Sequence, residues 1–218
     1  MIPDTINNWL ENRGITDLRP SQKKSGESGL FERKNLLVCT PTASGKTLVG
    51  EMGMRHSQGK SLYIVPLRAL ASEKYSDFKK HHSDKKVMIA TGDADEKGGR
   101  YEDADILIAT SEKFDSLLRH KPRWIESVGC VVVDEIHLLT DPHRGPTLEV
   151  VLTLLKKVRP EAQIIGLSAT IGNPGELAEW LGAELIEDSW RPVTLYKGTY
   201  SEGRIEFYDT EKSTKTGK

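Results

Sequence analysis

Cysteine is nearly absent from this chain: Cys39 and Cys130 are the only two among 218 residues. Two thiols cannot make a disulfide framework, and both fall inside apolar runs, so they read as small core hydrophobes. No apolar run approaches the roughly 20 residues of a membrane span. The opening stretch MIPDTINNWLENRG has neither the basic nor the apolar region of a signal peptide. The expectation is a chain that starts and stays in the cytoplasm, off the membrane. An excess of positive charge is also missing, with 31 Lys and Arg against 32 Asp and Glu and a net charge of −1. No global basic field argues for nucleic acid, so such a claim must rest on local residues. No repeat of solenoid period is present. What remains is an ordinary globular composition, 37% hydrophobic and 29% charged. The length suits one large α/β domain, which buries roughly 70% of its unfolded surface.

Apolar runs bounded by turn residues predict strands at Asn35–Cys39, Ser61–Val65, Lys86–Ala90, Ile106–Ala109, Cys130–Asp134 and Gln163–Leu167, mostly separated by helical stretches. That alternation predicts a mostly parallel central sheet with helices on both faces. NPGELAEWLG reads as a complete helix, with Asn173 as cap, Pro174 at the first position, Glu176 placed for a capping box and Gly182 as the stop. VTLYKGTY and GRIEFYD have strand composition and predict a small antiparallel appendage. The polar end, TEKSTKTGK, reads as a disordered tail. The clusters KKHHSDKK and RHKPR read as solvated surface.

One further absence is local. CTPTASGKTLVG fits the phosphate-loop pattern G-x-x-x-x-G-K-[ST] except that Thr40 holds the place of the first glycine. The loop still joins a predicted strand to a helix over Lys46–His56. In that setting the backbone N–H groups of Thr42, Ala43, Ser44, Gly45, Lys46 and Thr47 can converge on phosphate oxygens at the positive end of a helix. Gly45 permits close approach, Lys46 supplies a point charge, and Thr47 offers its hydroxyl to magnesium. Pro41 is a second way to fix the turn. An ordinary connection with a solvated lysine is the alternative reading.

The run GCVVV delivers DEIH at its carboxyl end, the edge where open α/β sheets bind ligands. Asp134 there can hold magnesium through its water shell. Glu135 is suited to orient and deprotonate a water attacking a γ-phosphate, while His137 follows on the same loop. IIGLSAT is another buried strand, ending in Ser168 and Thr170. Their hydroxyls can exchange partners when the phosphate leaves, unless both simply satisfy a local turn.

PTASGKT, VPLRALASEKY, TSEK, DEIH and GLSATIGNPGELAEWLGAELIEDSWRPVTLYKG together resemble the first motor domain of superfamily-two helicases. They are most similar to the Ski-like branch and its archaeal repair helicases acting at stalled replication forks. The resemblance runs roughly from Ile2 to Tyr208. It implies a RecA-like P-loop domain over residues 1–200, then a β appendage or linker and tail over 201–218, with ATP and Mg2+ as cofactors. The segment LRPSQKKSGESGLFERK resembles the adenine-recognition element, with Gln22 on one edge of the base. The resemblance further implies single-stranded or forked DNA over the sheet edge, held at Pro66, Arg68, Thr91, Gly92, Thr110 and Ser111. His137, Ser168 and Thr170 would couple hydrolysis to movement. The implied activity is 3′–5′ DNA unwinding by a monomer in the cytoplasm, associated with the nucleoid. RNA unwinding, remodelling within the branch, or a non-catalytic binding module stay open. No segment rich in glutamine and glycine with its arginines follows Ser201, so a second motor domain is expected to be missing and the chain nearly inactive alone.

Overall fold

A computed structural model describes residues 2–92, 101–120, 122–201 and 203–207. In chain order the elements are α1 (Asp4–Asn12), α2 (Pro20–Glu27), β1 (Leu36–Cys39), α3 (Lys46–His56), β2 (Lys60–Val65), α4 (Arg68–His81) and β3 (Val87–Ala90). They continue with β4 (Ile106–Thr110), α5 (Ser111–Arg119), β5 (Val128–Val133), α6 (Gly145–Val158), β6 (Gln163–Ser168), α7 (Pro174–Leu181), β7 (Glu184–Glu187), β8 (Gly198–Ser201) and β9 (Arg204–Phe207). Strands β1 to β7 form one sheet in the order β3-β4-β2-β5-β6-β1-β7, every pair parallel. Strand β6, which ends at Ser168, therefore lies between β1, ending at Cys39, and β5, ending at Val133.

The buried strands are Val, Ile and Leu rich because both faces are covered. One layer packs Phe114, Trp124, Leu148 and Leu152 on the sheet, and the other packs Trp9, Met52, Phe78 and Leu30. Helix α3 comes unusually close to the sheet. A Cβ on Gly53 would stand 2.2 Å from Ile165 Cδ1. Glycine weakens a helix by about 1 kcal/mol relative to alanine, and here that loss allows the phosphate-loop helix to seat on β6.

Four expectations need correction or extension. Strand β7 was not expected: only Ile186 of its four residues is buried, so its parallel pairing with β1 carries little periodic signal. The helix after Asn173 starts and stops where expected, with Gly182 at φ 64°. Asn173, however, caps no backbone group; its Nδ2 donates to Glu176 Oε2 at 3.0 Å instead. His82, within a supposed surface cluster, is fully buried and stacks on Trp9 with ring centroids 5.2 Å apart. The appendage is the antiparallel pair β8-β9, whereas residues 208–218, including the tail expected to be disordered, lie outside the described residues. Cys39 and Cys130 are buried free thiols, and burial pushes Cys130 up to about 12.

Candidate nucleotide site and adjoining cleft

The phosphate loop leaves β1 at Cys39 and enters α3 at Lys46. Thr40 is fully buried, and its hydroxyl lies 2.7 Å from the Ser44 hydroxyl across the loop. Its backbone N–H donates to Ser168 O at 3.2 Å, and Ser44 N–H closes the turn on Pro41 O at 3.2 Å. The left-handed conformations needed to curl the chain sit at Ala43 (φ 66°) and Gly45 (φ 92°), not at position 40. A side-chain bridge thus does the work expected of the missing glycine. Among the described residues, no protein acceptor takes the N–H groups of Gly45, Lys46 or Thr47. Three donors at the start of an 11-residue helix are therefore available to an anion.

Gln22 sits beneath this loop rather than at its mouth. It is 3% exposed, its Nε2 donates to Gly45 O at 2.9 Å, and its Oε1 accepts from Arg19 N at 2.8 Å. Arg19 adds a bond to Ala43 O at 2.7 Å, with its guanidinium 5.4 Å from the Trp190 ring centre. The expected base contact thus falls on a residue whose amide first braces the loop backbone. Arg19 and Trp190 were not anticipated in this role.

Lys46 is 9% exposed and points across to Glu135, with Nζ 3.1 and 3.2 Å from the two carboxylate oxygens. Glu135 adopts φ 51°, ψ 44° immediately after β5. That left-handed geometry is costly outside glycine and marks a strained position. Asp134 is 7% exposed. Its Oδ2 accepts from Tyr63 Oη at 2.8 Å and its Oδ1 from Glu135 N at 3.0 Å. Burial pushes the Asp134 carboxyl above the ordinary aspartate value, against the opposing effects of Tyr63, Lys74 and Lys46. Burial, then the charge of Asp134, pushes the Tyr63 hydroxyl far upward, so it remains a proton donor. Lys74 reaches in from α4, with Nζ 3.5 Å from Thr47 Oγ1. His137 Nδ1 lies 3.4 Å from Glu135 Oε2 but out of alignment for a hydrogen bond.

Beside these carboxylates, Pro66, Arg68, Thr91, Gly92 and Thr110 line one polar cleft of about 370 Å³. Thr110 also caps α5, its Oγ1 accepting from Lys113 N at 3.3 Å. Ser111, 4% exposed, faces the Asp134 and Glu135 side instead. Lys113 and Arg144 also line the cleft and were not singled out; Lys113 Nζ donates to Gly92 O at 2.9 Å. Lys113 was visible within the TSEK motif, whereas Arg144 had no motif signal. His137 borders a second cleft, of about 500 Å³, with Ile171, Gly172 and Asn173. Ser168 is buried and spends its hydroxyl on Ala169 O at 2.8 Å. Thr170 is exposed. Neither makes the expected bond to a site carboxylate; the local turn satisfies Ser168.

A parallel sheet with a strand-loop-helix anion cradle, facing an acidic pair on a nearby strand end, defines a P-loop nucleotide-binding domain. Within that class, the model of the DEAD/DEAH box helicase family matches residues 19–177, and the chain belongs to that family. It is 49% identical to the ATP-dependent DNA helicase Hel308 of Methanococcus vannielii over 222 residues, covering 95% of this chain and 29% of that protein. It is 51% identical to the Hel308 of Methanocaldococcus jannaschii, covering 95% of this chain and 18% of the relative. The chain thus spans less than a third of either relative. Among solved structures, the DUF1998 helicase MrfA bound to DNA superposes with a TM-score of 0.73 at 27% identity, over 86% of this chain and 30% of that one. MrfA bound to DNA and AMPPNP gives a TM-score of 0.74 at 28% identity, over 86% and 29%.

Proposed function

We propose that this chain is the ATP-binding first motor domain of an ATP-dependent DNA helicase that moves 3′ to 5′ on single strands and acts in repair and replication-fork processing. The observation that carries the reading is the Lys46–Glu135 pair, set between an anion cradle and the cleft lined by Arg68 and Thr110. Kinship with Hel308 proteins, named as DNA helicases, supports DNA as the partner. The reading includes a second motor domain as working partner and a monomer in the nucleoid-associated cytoplasm.

In this account the N–H groups of Gly45, Lys46 and Thr47 receive the phosphates, and Gln22 and Arg19 hold the loop in shape for them. Lys46 exchanges Glu135 for phosphate oxygens. Glu135, released, orients the attacking water and takes its proton. Thr47 and Asp134 would hold the magnesium; a hydroxyl and a carboxylate are the hard oxygen donors it prefers. Lys74 Nζ at 3.5 Å from Thr47 Oγ1 supports a positive charge being accepted at this spot. Held there, the metal would supply neutralisation of the charge developing on the transferred phosphoryl group. Pro66, Arg68, Thr91, Gly92 and Thr110, joined by Lys113, contact strand phosphates rather than bases.

The test is ATP hydrolysis, with and without single-stranded DNA, by the protein carrying its second motor domain. Stimulation by DNA, lost on Arg68→Ala together with Lys113→Ala, is the expected result. Stimulation by RNA and not DNA would move the function to an RNA-directed relative. Indifference to both would leave a nucleotide-binding module.

A further inference from the structure

We propose that Tyr63 is a positioning residue of the metal site, its hydroxyl setting the orientation in which Asp134 meets the magnesium of a bound nucleotide. The inference rests on the reading of Asp134 as the metal-directed carboxylate and adds a residue that no motif in the sequence pointed to. Tyr63 lies in the middle of β2 and is fully buried, its ring edge-on to Phe78 with centroids 5.0 Å apart. A phenylalanine would fill that space equally well. A hydroxyl buried in a sheet core costs free energy unless it is bonded, and this one is bonded to Asp134 Oδ2 at 2.8 Å. The other oxygen of the same carboxylate accepts the Glu135 N–H at 3.0 Å. Held at both oxygens, the carboxylate cannot turn about its last bond, and each oxygen keeps a lone pair for a metal-bound water.

The same hydroxyl neighbours Thr47, the second oxygen donor of the proposed metal site. Tyr63 therefore stands near both donors and bonds one of them, Asp134. It also lies three residues before Pro66 on the strand that runs into the cleft. Outer groups that orient metal-binding carboxylates typically change metal affinity or activity by about 10- to 100-fold when removed.

The experiment is ADP binding to the protein, titrated with MgCl2 and separately in EDTA, for the parent and Tyr63→Phe. That substitution removes one oxygen and leaves the packed ring. We expect ADP binding in EDTA to be unchanged, while the magnesium needed for half of the metal-dependent tightening rises about tenfold. In an Asp134→Asn background the same substitution should have no further effect, because Tyr63 acts through that carboxylate. An unchanged magnesium midpoint overturns the inference, and a lowered melting temperature with that unchanged midpoint assigns Tyr63 to folding alone. A parent that takes up no ADP overturns the nucleotide reading as well, which separates the two failures.

Discussion

Lys46 Nζ bridges both carboxylate oxygens of Glu135, at 3.1 and 3.2 Å, from opposite walls of one site. Each partner has a separate expected role, and neither can fill it while paired. Nucleotide entry therefore has to replace an internal ion pair, and that exchange sets the sign of the first prediction.

Glu135→Gln removes the competing charge while keeping the shape of the side chain. Nucleotide should bind equally well or tighter, by up to about fivefold if the partly exposed pair contributes about 1 kcal/mol, while turnover is lost. A binding titration, beside an ATPase assay of the protein carrying both motor domains, checks both halves. Hydrolysis at the parental rate would assign the base to another residue.

The loop's brace can be broken at one carbon. Gly45→Ala places a Cβ 2.6 Å from Gln22 Nε2 at φ 92°, adding about 1–2 kcal/mol of backbone strain. Nucleotide affinity should fall steeply although Lys46 is retained. Gln22→Ala should weaken the binding of ADP and of inorganic triphosphate alike, since it acts through the loop. A loss confined to adenine nucleotides, with triphosphate unaffected, would restore base recognition as its main role.

A buried ion cluster ties α1 to the phosphate-loop helix. Glu51, 4% exposed, meets Arg13 at 2.9 Å and both His81 and His82 at 3.3 Å. Burial raises its carboxyl, but the close approach of His82 and the charges of Arg13 and the histidines outweigh that and leave it below the ordinary 4.5. A depressed carboxylate stabilises the fold fully above its unfolded value and loses that contribution as pH falls through its folded value. Glu51→Gln should cost about 3 kcal/mol at neutral pH. The gap from the parent should close only below pH 4.5. Thermal melts across pH measure it, and a gap independent of pH would refute the charge account.

Ser168 and Thr170 separate on structural grounds. Ser168→Ala removes a buried local bond and should lower stability by about 1 kcal/mol without changing the ratio of ATP hydrolysis to strand separation. Thr170, exposed and one residue before Ile171 of the second cleft, is the residue of the two still able to couple them. In the protein carrying both motor domains, Thr170→Ala should reduce unwinding more than hydrolysis, as read from the two rates in one preparation. Equal loss of both would exclude coupling.

Much of this architecture was readable because its signals are local. The six long-range strands announce themselves as apolar runs, and the loop and the acidic pair stand at their ends. What escaped depends on partners far along the chain. Strand β7 exists because β1 offers an open edge, not because Glu184–Glu187 alternates strongly. His82 is buried by Trp9 and Phe78 despite its charged neighbours. Tyr63 looks like any strand tyrosine until β5 brings Asp134 to its hydroxyl. Gln22 was found, but its bonds to Gly45 and Arg19 could be read only from the folded loop.

The most direct measurement is an ADP titration with magnesium on the parent protein and Lys46→Ala. The central claim is that the Thr40–Thr47 loop holds nucleotide phosphates through Lys46 and the first turn of α3. Saturable binding by the parent and its loss in Lys46→Ala, with the melting temperature of the free protein preserved, is the predicted result. Superimposable titration curves for the two proteins would contradict the claim and remove the phosphate loop from the site.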